Sequence, residues 1–152
     1  MRCDDPRAMD PRIKTILCAV LLCLLAWVGY RETFSVPFLF DDSRWIVDGQ
    51  RIREDLWPPA AFFDGGTLRP ILFYTLAINY HFGGLDVSGY HAVNLLIHAA
   101  AALVLFGLVR RTLRLAWIAH RFEGRVDLLA VAIAALWVAH PLATQAVTYT
   151  IQ

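Results

Sequence analysis

Three runs of apolar residues are set apart along the chain by stretches in which charged and aromatic positions mix. The first is TILCAVLLCLLAWVGY, Thr15 to Tyr30, and the second is YHAVNLLIHAAAALVLFGLV, Tyr90 to Val109. The third, LLAVAIAALWVA from Leu128 to Ala139, is followed by HPLATQAV. A helix needs about 20 apolar residues to cross a bilayer. The second run meets that length, the first is slightly short and Ile13 lengthens it, and the third is clearly short. The third run must therefore extend past one of its ends or form a buried half-helix. The pattern predicts an all-α integral membrane protein of about three transmembrane helices.

The stretch between the first two runs does not read as a linker. It carries Phe34, Phe38, Phe40, Trp45, Trp57, Phe62, Phe63, Phe73, Tyr74, Tyr80 and Phe82, an aromatic content that a disordered segment lacks. Tryptophan and tyrosine favour the headgroup level, so this loop is expected on the membrane surface. Within it DDSRWIVDGQRI predicts a short helix, with Asp41 or Asp42 at the N-cap and Gly49 near the stop. WPP at 57–59 and GG at 65–66 break the chain. RPILFYTLAINYHF then predicts a helix of about 13 residues, with Pro70 in the first turn. That is too short to span. Thr75 and Asn79 form a narrow polar stripe on it, so the helix is expected to lie in the interface or tuck beneath the loop.

Composition supports the membrane reading: 58% of the 152 residues are apolar and the mean hydropathy is +0.50, against about 45–50% apolar for soluble domains. The net charge of +1 gives no footprint for a nucleic-acid partner. Cys3, Cys18 and Cys23 form no CxxC pair and none neighbours a histidine; they read as apolar filling. The first run follows Arg2, Arg7, Arg12 and Lys14, as a signal peptide would, yet its end AWVGYRE lacks the small-x-small pattern of a cleavage site, which favours a retained anchor.

Basic residues set the expected orientation. Residues 1–14 hold four arginines and lysines, residues 110–127 hold five, and residues 31–89 spread five over 59 positions beside eight acids. The resulting layout is a cytoplasmic N-terminus (1–14), a transmembrane helix (15–30), an outer loop with interfacial helices (31–89), a second transmembrane helix (90–109), a basic cytoplasmic loop (110–127), and a third transmembrane helix opening an outer segment (128–152).

Several polar groups are candidates for chemistry. Asp41 and Asp42 are adjacent, so their side chains diverge by about 100° on a helix and cannot act as a matched acid/base pair. One can serve as a general base or bind a metal at the membrane surface while the other caps, orients or binds metal; a plain N-cap also accounts for one of them. His91, Asn94 and His98 share a helix face, and a polar stripe on an apolar helix turns away from lipid. Helix–helix hydrogen bonding explains His98; His91 is divided between that role and contact with a lipid phosphate. Arg69 can fork onto a phosphate or snorkel to headgroups. His140, ahead of Pro141, either stops a helix or presents a polar group to the outer side.

The order of these elements carries a resemblance. FLFDD after one apolar run, RPILFYTLAINYHFGG, GYHAVNLLIH opening the next, and AHPLATQAVTYTIQ occur in that sequence from about Phe38 to Gln152. In combination they resemble the N-terminal part of the GT-C class of polytopic membrane glycosyltransferases, nearest to the transmembrane and tetratricopeptide-repeat O-mannosyltransferases and their bacterial relatives. The resemblance implies transfer of a sugar from a polyprenyl-phosphate donor to a hydroxyl of a protein or glycan acceptor, on the non-cytoplasmic face and with inversion. An acid of the first outer loop activates the acceptor, and that acid falls on Asp41, with Asp42 second. Arg69, His91 and His140 become candidates for substrate contact. Some members of the class need a divalent metal. The class has more spans and the chain stops inside what reads as a continuing motif, so a fragment of a bacterial inner-membrane protein is expected, lacking much of the donor site. Two other readings compete: a non-catalytic multi-span scaffold, and a transporter subunit using His91, Asn94 and His98 as a path. The first run, CAVLLCLLAW, offers such a path no polar partner.

Overall fold

The computed structural model describes residues 9–39, 41–53, 56–57, 63 and 68–150. Five α-helices organise them: α1 (Pro11–Tyr30), α2 (Pro70–Gly83), α3 (Val87–Leu113), α4 (Val126–Val138) and α5 (Thr144–Thr148). No strand occurs among the described residues. The protein is an all-α membrane protein: α1, continued by a 3-10 turn to Ser35, and α3 are each long and apolar enough to cross a bilayer. The third apolar run makes a helix only to Val138, then bends by 56° and resumes from Pro141 to Thr148, a pair long and apolar enough to cross only when its two parts are taken together. The break falls where His140-Pro141 ends the helical pattern, because proline cannot donate to the preceding turn.

The ends of the long helices follow from their sequence. Asp10 accepts the backbone N–H of Arg12 at 2.7 Å, with Pro11 at the first helical position. Asp86 does the same for Ser88 at 3.0 Å. Each side chain satisfies a donor that the helix itself leaves open. The helices therefore start at Pro11 and Val87, a few residues ahead of the apolar runs that announce them.

The chain divides into two compact units: Met1–Gly29 with Ile97–Ala143, and Tyr30–Leu96 with Thr144–Gln152. In the first, Leu22 of α1, Phe106 of α3, and Ala130 and Ala134 of α4 form the buried centre. The alanines let the backbones approach closely, as helix pairs in lipid require. Ile16, Val20, Leu24 and Val28 of α1 remain exposed, a surface suited to acyl chains. At one end of this unit Asp127 gathers three cations: Arg110 Nε at 2.6 Å, Arg114 Nη2 at 3.2 Å and Lys14 Nζ at 3.6 Å.

The second unit is built under α2. Phe73, Leu76 and Ala77 of α2 are buried against Ile46, Ile52 and Tyr90, so the short helix is tucked against the loop segments. Its polar stripe turns back onto its own backbone: Thr75 donates to the Ile71 carbonyl and Asn79 to the Thr75 carbonyl. The helix ends where Gly84 takes φ +60°, a left-handed conformation that glycine adopts without strain.

Candidate functional site

Three stretches distant in sequence meet in the second unit. The first is VPFL with the two aspartates, residues 36–39 and 41–42. Val36–Leu39 has no regular structure and is held from two directions. The His91 imidazole Nε2 lies 3.0 Å from the Val36 carbonyl. At the other end, the Leu39 N–H donates to Asp42 Oδ2 at 3.3 Å, while the Asp42 N–H returns to the Leu39 carbonyl at 3.0 Å. The side chain of Asp42 thus reaches back three residues, as the acid of a capping box does. Phe38 meets the Tyr90 ring edge-on at 5.3 Å, and the Tyr90 hydroxyl donates to the Gly84 carbonyl at 2.8 Å.

The second stretch is the start of α3, which supplies Tyr90, His91 and Asn94 from successive positions of one face. The third is the end of α5 and the residues after it. Asn94 Nδ2 donates to the Tyr149 carbonyl at 3.0 Å, and the Thr150 N–H donates to Asp42 Oδ2 at 3.3 Å. Asp42 is therefore shared by two backbone donors from opposite parts of the chain. It is 1% exposed, as is His91. Within these three stretches two buried atoms make no hydrogen bond among the described residues: His91 Nδ1 and the Thr150 hydroxyl.

The neighbouring aspartates have separate fates. Asp42 opens the π-helical turn Ser43–Val47 but makes no side-chain bond to it; its carboxylate points back to Leu39 and across to Thr150. The N-cap was expected at Asp41 or Asp42; Asp42 makes no forward cap, and its carboxylate caps backward instead. Asp41 is exposed, and among the described residues its carboxylate makes no hydrogen bond or ion pair. The turn stops at Gly49, where a Cβ would collide with the Trp45 carbonyl, and Trp45 in turn packs edge-on against Phe73 of α2 at 5.5 Å. The breaks at Pro58-Pro59 and Gly65-Gly66 lie outside the described residues.

The other candidates sit as follows. Arg69 is exposed at the start of α2, where its carbonyl accepts the Phe73 N–H at 3.2 Å. His98 is buried, stacks on Trp137 at 4.7 Å and lies 3.3 Å from the Val138 carbonyl, an interhelical contact within the first unit. His140 also belongs to the first unit. It is exposed, and its Nδ1 accepts the Leu142 N–H at 3.2 Å, capping the turn that follows Pro141. Among the described residues no three His, Cys, Asp or Glu side chains come together as a metal site. Asp127, Tyr149 and Thr150 escaped the sequence reading. An acid closing a stretch with five arginines was a usable signal for Asp127; backbone groups at 149 and 150 leave none.

No protein-family model matches the chain, and no solved structure does. Curated proteins do. Protein O-mannosyl-transferase Tmtc1 of Drosophila melanogaster is 35% identical over 135 residues, covering 81% of this chain and 14% of that protein. Protein O-mannosyl-transferase Tmtc2 of the same organism is 29% identical over 138 residues, 82% of this chain and 14% of the relative. The human protein O-mannosyl-transferase TMTC4 is 31% identical over 147 residues, 81% and 19% respectively. The chain thus spans about 14% of the length of the first of these relatives. These are animal proteins, and they lend no support to a bacterial inner membrane.

Proposed function

From its homology to the Tmtc protein O-mannosyl-transferases over this stretch, we propose that the chain forms the part of a membrane glycosyltransferase that presents the acceptor-activating acid, with Asp41 as that acid. The donor in this reading is a sugar on a polyprenyl phosphate, and the acceptor is a hydroxyl of a protein or glycan on the non-cytoplasmic face. The observation that carries the reading is the division between the two aspartates. Asp42 is committed to Leu39 and Thr150, which leaves the adjacent carboxylate exposed on a backbone fixed from both sides. A catalytic base needs that combination of rigid support and access.

The chemistry asked of these residues is limited. As the acceptor oxygen forms its bond to the sugar C1, its proton passes to the Asp41 carboxylate. The bond from C1 to the phosphate oxygen breaks, and the electron pair leaves with the lipid phosphate. A hydroxyl is a poor nucleophile at neutral pH, and a positioned base contributes about 100- to 10,000-fold. Arg69, exposed at the start of α2, is the cation this reading assigns to the leaving phosphate, through a planar fork of donors.

The competing reading is a non-catalytic scaffold. What favours it is that Asp42, His91, Asn94 and His98 all engage backbone groups, so most of the polar residues have structural employment. Asp41→Asn separates the two. In membranes carrying the full protein, transfer from a polyprenyl-phosphate sugar (mannose first, given the relatives' names) is expected to fall by about 100-fold or more, with expression and thermal stability unchanged. Unaltered transfer would return Asp41 to the surface and leave the scaffold.

A further inference from the structure

The first unit holds a cavity that the glycosyltransferase reading does not use. It has a volume of about 400 Å³ and is lined by Pro11, Arg12, Thr15, Ile16 and Arg110, so the start of α1 and the end of α3 bound it. Two of its five lining residues are arginines and none is an acid. A larger neighbouring cavity of about 490 Å³ is lined by Glu123 and Asp127 as well as Lys14 and Arg114; there the cations are answered by carboxylates from the protein itself.

The arginines of the smaller cavity are held ready rather than consumed. Arg110 donates its Nε to Asp127 at 2.6 Å, and its guanidinium lies 5.8 Å over the Phe106 ring. Its side chain is only 16% exposed. Among the described residues its two terminal NH₂ groups make no hydrogen bond, so four donors in a fixed plane remain available. The Arg12 guanidinium likewise makes no hydrogen bond or ion pair among the described residues and is exposed. The single carboxylate of Asp127 is shared by Arg110, Arg114 and Lys14, so positive charge remains in excess beside the cavity, and the fork geometry of a guanidinium matches phosphate oxygens.

The cavity also lies at the foot of an apolar surface. Ile16 lines it, and Val20 and Leu24 follow at helical spacing, both about half exposed. An occupant with a phosphate at one end and a hydrocarbon chain at the other matches this sequence of charge and then apolar helix. We propose that the groove between the start of α1 and the end of α3 is a binding site for an anionic phospholipid, its phosphate between Arg12 and Arg110 and an acyl chain along Ile16 and Val20. The site rests on α1 and α3 being membrane spans and is independent of any transfer activity.

The test uses the full chain purified in detergent, titrated with phosphatidylglycerol, phosphatidylcholine or inorganic phosphate, with bound lipid counted by native mass spectrometry. Phosphatidylglycerol should bind in preference to phosphatidylcholine. Arg12→Gln should weaken that binding by about fivefold, the order expected for one basic residue at an anionic lipid surface. Arg121→Gln, which removes a cation of the same basic loop away from the cavity, should leave it unchanged. Neither arginine makes a described side-chain contact, so both variants should unfold at the temperature of the parent chain. Equal binding of the two lipids overturns the site. An equal loss in Arg121→Gln also overturns it, in favour of diffuse charge attraction. Displacement of phosphatidylglycerol by inorganic phosphate at matching concentration overturns the lipid assignment. Carbonate extraction of cell membranes reads the premise separately: a chain released by carbonate removes the spans and the site with them, whereas an embedded chain without lipid preference removes the site alone.

Discussion

At the residue scale the informative contrast is between Asp41 and Asp42. A buried carboxylate is tolerated only when its hydrogen-bonding capacity is met. Asp42 receives the N–H groups of Leu39 and Thr150, two donors that would otherwise be left unpaired near the protein interior. Asp42→Ala should therefore cost about 2–3 kcal/mol, since hydrogen bonds to a charged group count for more than neutral ones and both donors lose their partner. Asp41→Asn should lie within about 0.5 kcal/mol of the parent, as an exposed substitution does. Chemical unfolding in detergent checks both, and a silent Asp42→Ala would remove the pin on which the site is built. A second residue-scale outcome concerns pH. The Ser88 backbone N–H, and secondarily its hydroxyl, hold the Asp86 carboxyl below its ordinary value of 3.8. The folded state thus favours the ionised form, and the contribution of this cap is present above 3.8 and lost as pH falls through the lower folded value. The Ser88 amide resonance should titrate with a midpoint below 3.8 and stop titrating in Asp86→Ala; a midpoint at or above the ordinary value would take the cap away.

Among the elements, the turn Ser43–Val47 and α2 depend on each other. The turn carries Ile46 into the core that Phe73, Leu76 and Ala77 complete, and Gly49 lets the chain leave it past the Trp45 carbonyl. Gly49→Ala places a methyl group against that backbone atom, and the turn must open to admit it. The expected loss is about 1–3 kcal/mol, in the range of overpacked sites, seen as a lower unfolding temperature, with the Trp45 fluorescence shifted as its contact with Phe73 loosens. An unchanged temperature and spectrum would mean that the turn is not packed on α2. These elements also show how far the sequence could be read. Helices α2 and α3 were legible because Pro70 and the apolar runs are local signals, and Gly49 marked its stop for the same reason. The partner of each polar residue was not legible. Asp42 looks like a forward cap in the string DDSRW, but its second donor comes from Thr150, which lies 108 positions away. Asn94 bonds a backbone carbonyl 55 positions on, and a carbonyl has the same identity in every residue. The third apolar run looked short because its continuation lies beyond His140-Pro141, on the far side of a break that apolar length alone cannot describe.

For the whole molecule the question is which side of a membrane each part faces. Basic residues crowd 1–14 and 110–127, whereas 31–89 mixes five of them with eight acids, and the excess of arginine and lysine marks cytoplasmic segments. An independent observation supports pairing the two basic segments. Lys14 near the start of α1, Arg110 and Arg114 at the end of α3, and Asp127 at the start of α4 share one ion cluster. If both basic segments lie on the cytoplasmic side, the stretch 31–89 between them, with Asp41 and Arg69, is expected on the opposite side. Labelling single cysteines with a membrane-impermeant maleimide tests the arrangement, in a background from which Cys3, Cys18 and Cys23 are removed. Phe82→Cys, at an 85% exposed position of α2, and Trp117→Cys, at a 74% exposed position of the basic loop, are the probes. The first should react in intact cells and the second only after permeabilisation. Reaction of both from one side would break the alternation that the basic residues predict.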